Sequence, residues 1–406
     1  MLTRPSSSDS PPVAKSPLSY LFFYDAIYPE TLGGVEHRNY QLACSLGARG
    51  HRAVLAGWAS APASLPIGVE LRTIGSSRSL YGRSGKRSRL QALRLAWNAV
   101  TIDLNGVDVV ETSNIPFLHL FPLSFRCRRA GIPLIVTWHE FWGDYWRDYM
   151  PPGRLRLGLW RLYRWIERRA ASLGDRAVAV SRLTAQRLGS VRGELIEVIP
   201  NGVRLEELRA TARRIGEEKD DPTIGPLIFA GRLISEKRVD LLVEAAAVLA
   251  GTMPGPILTI IGDGPSRSSL QRLVVRLGLA DRVEFLGRLQ TSTEVWNRTS
   301  RARIAVHPSA REGFGLFALE AMALGLPVVH CASPESAVGE VVRDRTDGRE
   351  VDPDPELLAA AIVEILGDPA TYASMSANAV ERAAEFDWGA ATQTLERVSR
   401  ELLDGS

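Results

Sequence analysis

Short apolar segments alternate with longer segments of helical spacing twice along this 406-residue chain, on either side of the turn-rich stretch Ile199-Pro200-Asn201-Gly202-Val203. In the first series, residues 20–24, 52–57, 69–74, 108–111, 133–138, 176–180 and 196–199 read as strands, with 35–46, 90–104 and 155–173 among the helices between them. In the second, strands at 227–230, 258–261, 284–286, 302–307 and 327–330 alternate with helices such as 239–249 and 270–277. Apolar strands that alternate with helices belong in a parallel sheet covered on both faces. A chain of this length exceeds a single hydrophobic core. Two doubly wound α/β domains are therefore expected, at 18–203 and 204–385, and such sheets bind ligands at the carboxyl ends of their strands. Residues 1–17, rich in Ser and Pro and without a signal-peptide apolar core, are expected to be a disordered tail. The charged residues 209–225, with Pro222 and Gly225, read as a linker or loop.

Charge divides the chain at the same joint. Residues 1–202 carry 26 Lys and Arg against 15 Asp and Glu, a net +11, whereas 203–406 carry 23 against 31, a net −8. A basic first half suits an anionic partner. Much of its charge lies in two stretches. Arg78, Arg83, Lys86, Arg87, Arg89 and Arg94 run without an acidic residue between them. Arg147, Arg154, Arg156, Arg161, Arg164, Arg168 and Arg169 interleave with Trp146, Tyr149, Trp160, Tyr163 and Trp165. Either these are solvated helix faces with aromatics packed inward, or they form a surface for anionic lipid headgroups. No nucleic-acid-binding motif accompanies the charge, so nucleic acid is not an expected partner. Cys44, Cys127 and Cys331 lack metal-ligand spacing and point to a reduced setting. No apolar run reaches the ~20 residues of a membrane span. A cytoplasmic protein, peripheral on the inner face of the membrane where the basic surface touches it, is the expectation.

The candidate chemistry lies mostly in the second half. Glu312 and Glu320 are eight residues apart in Glu312-Gly313-Phe314-Gly315-Leu316-Phe317-Ala318-Leu319-Glu320, a glycine turn running into an apolar helix. Glycines let backbone amides approach a ligand, and the helix start favours negative charge such as a phosphate. In isolation the same pattern describes a surface turn followed by a solvated helix Glu. Arg232 and Lys237, five residues apart across a strand-to-helix turn, can converge on one phosphate pair, or can be a helix-entry ion pair. Gly262-Asp263-Gly264-Pro265 makes a low tip after another strand, and Gly33-Gly34 precedes the first helix. His139 follows an apolar strand, and so is expected at a ligand-facing strand end. His307 reads as strand-end packing, and Asp352-Pro353-Asp354 as a turn instead of a metal site.

Taken together, the Glu pair and its continuation Ala321-Met322-Ala323-Leu324-Gly325-Leu326-Pro327 resemble the E-x7-E signature of family-4 retaining glycosyltransferases. The Gly-Arg turn with its downstream Lys, the Gly-Asp-Gly-Pro tip, the Gly-Gly loop and Pro200-Asn201-Gly202-Val203 are similar to further motifs of that family. The resemblance implies a GT-B fold, two Rossmann-like domains facing across a cleft, with residues 386–406 forming a helix that crosses back to the first domain. It implies that Glu312 and the amides of Gly313, Phe314, Gly315 and Leu316 meet the donor sugar and its phosphate. Glu320 would hold the ribose, Arg232 and Lys237 the diphosphate, and Gly34 would lie beside it. Gly262 and Asp263 would lie near the base, and His139 would contact sugar or acceptor. The implied reaction moves a sugar, with retention, from a UDP- or GDP-linked donor to a hydroxyl acceptor such as a lipid-linked or polysaccharide precursor. No cofactor or metal is implied.

The chain departs from the family pattern in places. Arg204 stands where Asp is usual, and Glu340 lacks its preceding Pro, so no role is carried onto it. Phe141-Trp142-Gly143-Asp144-Tyr145-Trp146 is more aromatic than the family pattern. A sugar-nucleotide epimerase of similar architecture and a catalytically silent sugar-nucleotide-binding protein stay open as alternatives.

Overall fold

The computed structural model describes residues 16–31, 33–59, 65–76, 88–150, 156–217 and 225–405. The expectations for residues 1–15, and for Arg78, Arg83, Lys86, Arg87 and Arg154, lie outside the described residues.

The first sheet is parallel and seven-stranded, in the order Val69–Gly75 (β3), Arg52–Trp58 (β2), Ser19–Phe23 (β1), Val109–Ser113 (β4), Leu134–Trp138 (β5), Arg176–Ala179 (β6), Glu197–Val198 (β7). Its helices are Gly34–Ala48 (α1), Arg89–Thr101 (α2), Leu120–Ala130 (α3), Trp146–Tyr149 (α4), Arg156–Ala171 (α5) and Arg182–Arg192 (α6). Side chains alternate across β1, so both faces are apolar and both must be covered. Leu21 and Phe23 join Leu95, Leu120 and Leu123 in a core on the α2, α3 side. Tyr20 and Phe22 join Leu42 and Leu46 of α1 on the other.

The second sheet is parallel and six-stranded: Val283–Gly287 (β10), Leu258–Ile261 (β9), Leu227–Ala230 (β8), Ile304–His307 (β11), Val328–Cys331 (β12), Gly348–Val351 (β13). Its helices are Leu205–Glu217 (α7), Val239–Leu249 (α8), Arg267–Arg276 (α9), Ser292–Ser300 (α10), Leu316–Ala323 (α11), Val338–Val341 (α12), Pro355–Gly367 (α13) and Pro369–Ala384 (α14). The final helix, Trp388–Asp404 (α15), lies against the first domain, where Ala391, Leu395 and Val398 complete the core beside α1. Glu396 holds it there through Arg49 at 3.0 Å.

The segment read as a linker begins as helix. Leu208, Ala212 and Ile215 recur at helical spacing in α7, and Leu208 is buried beside Trp296 of α10. The interspersed charges Glu206, Arg209, Arg213 and Arg214 mask that period in the sequence. Strand β13 also escaped the sequence reading, because Gly-Arg-Glu-Val carries too little apolar signal for an edge strand. Asp354 caps α13 by accepting from the Leu357 amide at 3.0 Å, as suits a turn. Among the described residues, no single helix is long and apolar enough to cross a membrane.

In each sheet the strand order reverses at one point, between β1 and β4 and between β8 and β11. Loops leaving such strand pairs in opposite directions open a crevice at their carboxyl ends. The two crevices hold the residues described next.

Candidate active site

The turn after β8 carries Arg232 and Lys237, and the loop after β11 carries Glu312, so the switch point of the second sheet brings them together. The Glu312 backbone is pinned: its amide donates to the Glu335 carbonyl at 3.1 Å and its carbonyl accepts from Ala337 at 2.9 Å. Its Oε2 pairs with Lys237 Nζ and lies 3.3 Å from His307 Nε2. Burial alone would push this carboxyl up, but the Lys237 ammonium and the His307 ring outweigh it and hold the group well below the usual carboxylate range. His307 is the buried last residue of β11, as its reading as strand-end packing expects, and from there it also faces Glu312. Gly315, at φ 96°, turns the chain into α11, a left-handed conformation that excludes most side chains. Gly313, Phe314, Gly315 and Leu316 accordingly line the approach to that helix start.

Arg232 is exposed on the turn after β8. Its neighbour Gly231 abuts Gly262, where an added Cβ would sit 1.9 Å from the Gly231 carbonyl oxygen. The Asp263 carboxylate is held locally, by the Gly264 amide at 2.7 Å and by Arg267 at 3.3 Å. Glu320 lies farther along α11 with different partners. Its Oε1 accepts from Trp296 Nε1 at 3.1 Å, and the Arg204 guanidinium sits 5.2 Å from the Trp296 ring. Burial raises the Glu320 carboxyl to about 7, against the downward pull of Trp296 and Arg204. The Arg at position 204 therefore has a structural counterpart.

Across the cleft, His139 follows β5, with its amide donating to Asn114 Oδ1 at 3.2 Å. Its Nε2 is buried and has no hydrogen-bond partner among the described residues. Burial, then the nearby Arg38 charge, lowers its pKa to about 3, so the ring is neutral at pH 7. Arg38, fully buried on α1, donates to the Pro200 carbonyl at 2.9 Å and to Asn201 Oδ1 at 3.1 Å. Glu111, in the middle of β4, accepts from Thr137 at 2.5 Å. Arg38 Nε and Nη2, and Glu111 Oε2, are likewise buried without hydrogen-bond partners among the described residues. Neither residue stood out in the sequence, since a helix Arg and a strand Glu are unremarkable until the fold buries them. Gly34 opens α1, and among the described residues nothing beyond its own stretch of chain lies within 4 Å of a would-be Cβ.

The domains meet beside these groups. A Cβ at Gly313 would lie 2.1 Å from the His139 carbonyl oxygen, so the two loops touch backbone to backbone. Arg311, 6% exposed, reaches Glu140 at 3.0 Å and Glu335 at 2.6 Å, with its guanidinium 4.4 Å from the Tyr145 ring centroid and 5.3 Å from Trp142. The aromatic segment noted in the sequence is the seat of this clamp. Arg187 also grips Glu335, at 2.6 Å. Glu340, to which no role was carried, accepts from the amides of Arg182 and Leu183 at the start of α6, each at 2.6 Å. Replacing Arg311 by methionine leaves the partly exposed Glu140 without its cation and removes the side chain that ties the two loops together. The expected result is a wider separation of the domains, read as a larger radius of gyration by X-ray scattering. An unchanged radius would remove Arg311 from the closing contact.

Residues 32–207 match the family model Glycosyltransferase Family 4, and residues 209–382 match Glycosyl transferases group 1. D-inositol 3-phosphate glycosyltransferase 2 of Catenulispora acidiphila is 36% identical over 304 residues, which cover 68% of this chain and 67% of that protein. Sucrose-phosphate synthase of Thermosynechococcus elongatus has the same fold, with TM-score 0.74 at 23% identity over 96% of this chain and 100% of that one. Anabaena HepE, solved in complex with UDP-glucose, gives TM-score 0.69 at 19% identity over 96% and 100%. The chain belongs to the group 1, family 4 glycosyltransferases and has their GT-B fold.

Proposed function

We propose that the protein transfers a sugar from a UDP- or GDP-linked donor to a hydroxyl acceptor with retention of anomeric configuration. The observation that carries this reading is the partly buried Lys237–Glu312 pair at the switch point of the second sheet, beside the start of α11. Lys237, Arg232 and the amides from Gly313 to Leu316 stabilise the departing diphosphate, where negative charge grows in the transition state. Glu312 accepts hydrogen bonds from the donor sugar. The acceptor oxygen attacks the anomeric carbon from the leaving-group face as the bond from that carbon to the phosphate oxygen breaks. The acceptor proton passes to the departing phosphate, so the products are the glycoside and a nucleoside diphosphate. His139, neutral and with an open Nε2, orients a sugar or acceptor hydroxyl. Gly34, Gly262 and Asp263 complete the donor side, next to the diphosphate and the base.

HepE was solved with UDP-glucose and the trehalose-6-phosphate protein of E. coli with UDP-2-fluoro glucose, which puts uracil donors first in the test. A thermal-shift panel of UDP- and GDP-sugars should raise Tm for one donor class. Saturation at 100 Kd contributes about 2.7 kcal/mol. NMR of the product formed with that donor should show the donor's own anomeric configuration. No stabilisation by any donor, or an inverted product, would overturn the proposal.

Glu320 supplies a pH signature. As a carboxylate it accepts ribose hydroxyls, and that form prevails only above about 7. Donor Kd should therefore rise about tenfold for each pH unit below that value, as the competent fraction falls, and level off above it. Glu320→Gln should bind donor weakly with a flat profile between pH 5.5 and 8. A wild-type profile that is already flat would separate Glu320 from the donor.

A further inference from the structure

Helices α2, α3 and α5 cover one face of the first sheet, and their inner sides are filled by residues such as Leu95, Ala99 and Leu123. Their outer sides are not an ordinary surface. On α2, Leu90, Leu93, Trp97 and Val100 recur at helical spacing and are 57%, 58%, 69% and 45% exposed, so this helix shows apolar side chains both inward and outward. Phe125 of α3 and Trp165 of α5 extend the patch, at 66% and 54% exposed. The three helices form one continuous surface. Arg126 of α3 donates to the Ala99 carbonyl at 3.4 Å, and the Arg89 guanidinium at the start of α2 lies 6.0 Å from the Tyr163 ring of α5.

The charge these helices carry is almost all of one sign, although the exposed Asp144 beside α5 pairs with Arg164 at 3.1 Å. The three helices contain ten arginines and a single carboxylate, Glu167. Glu167 is buried and faces inward, accepting from the amides of Trp142 and Gly143 at 2.8 Å each and from Trp146 Nε1 at 3.0 Å. Arg128, Arg129, Arg168 and Arg169 are exposed. A second copy of this chain seated here would press arginines on arginines. An anionic bilayer satisfies both halves of the surface: acyl chains receive the leucines and aromatic rings, and headgroup phosphates receive the guanidinium groups. The surface also leads to the cleft, because Trp146 of α4 stacks on Tyr163 at 5.0 Å and belongs to the aromatic segment that seats Arg311.

We infer that this face docks on an anionic membrane and that the acceptor is a membrane-anchored hydroxyl compound, delivered to the first domain's side of the cleft. The inference rests on the glycosyl-transfer reading for the acceptor but not for the docking. The test is flotation of the full chain with vesicles of phosphatidylglycerol and phosphatidylcholine, against vesicles of phosphatidylcholine alone, at low and high salt. The wild type should float with the anionic vesicles at low salt only, and the double variant Leu93→Glu, Trp97→Glu should lose at least tenfold in affinity. Arg128→Glu with Arg129→Glu guards against misfolding of the first variant and should weaken binding to the same degree. Neither pair touches the donor side, so the thermal shift given by the nucleotide sugar should be unchanged in both. Failure to float, variants that float like the wild type, or a wild-type dimer that the variants dissociate would each overturn the inference. Flotation without any donor-induced shift would instead defeat the donor assignment and leave the docking standing.

Discussion

Lys237→Met is expected to lower turnover by about two to three orders of magnitude, the loss measured when one donor to a developing oxyanion is removed from a preorganised site. Lys237 is the cation held closest to Glu312, and in the proposed reaction it follows the charge that builds on the departing diphosphate. That charge is larger in the transition state than in the bound donor, so kcat should fall by more than KM rises. Methionine keeps the length of the side chain, and Glu312 keeps its contact with His307 at 3.3 Å, so the site loses a charge without losing its walls. The Glu312 carboxyl then titrates at a higher pH, because the ammonium no longer offsets its burial. Lys237→Arg should recover part of the rate, since it restores the charge but spreads it over a planar fork that does not match a point contact. Steady-state kinetics with the stabilising donor, beside a circular dichroism spectrum for folding, makes the measurement. A kcat within threefold of wild type would remove Lys237 from the chemistry.

The parts of this site legible in the sequence are those that local geometry dictates. Glycine at 313 and 315, the Arg-to-Lys spacing after one strand and the Glu pair across a helix start depend on residues within one loop, so their order along the chain carries the signal. The doubly wound sheets were legible for a similar reason, because strands buried on both faces are almost uniformly apolar. What escaped depends on contacts between distant segments. Arg38 has meaning only where α1 meets Pro200 and Asn201, and Arg311 only where the second domain's loop meets Trp142 and Tyr145. His307 lies five residues from Glu312, yet its part becomes visible only once the loop folds back on the strand end. The error at α7 is of another kind. There the helical period is present in Leu208, Ala212 and Ile215, but the charged residues between them give the segment the composition of a loop.

Gly313→Ala should lower kcat/KM by about a hundredfold, the scale on which a displacement of roughly 1 Å affects catalysis. The added Cβ would lie 2.1 Å from the His139 carbonyl oxygen, 3.2 Å from its carbonyl carbon and 2.8 Å from Glu140 Cγ. The first two are backbone atoms at the end of a central strand, and the third belongs to a side chain already bound to Arg311. Neither neighbour can retreat cheaply, so the loop that holds Glu312 must move away from the first domain. Both cores are untouched, and Tm should change little, which distinguishes this loss from unfolding. Scattering should report a more open molecule, and the closed shape should not be restored by adding donor. Gly34→Ala is the informative contrast, because among the described residues nothing beyond its own stretch of chain lies within 4 Å of that Cβ. Any loss of donor affinity in Gly34→Ala must then come from the ligand itself, from a diphosphate lying against α1. If Gly313→Ala retains wild-type kcat/KM, the contact between the two loops is not part of the working geometry, and Lys237 and Glu312 act without the first domain closed upon them.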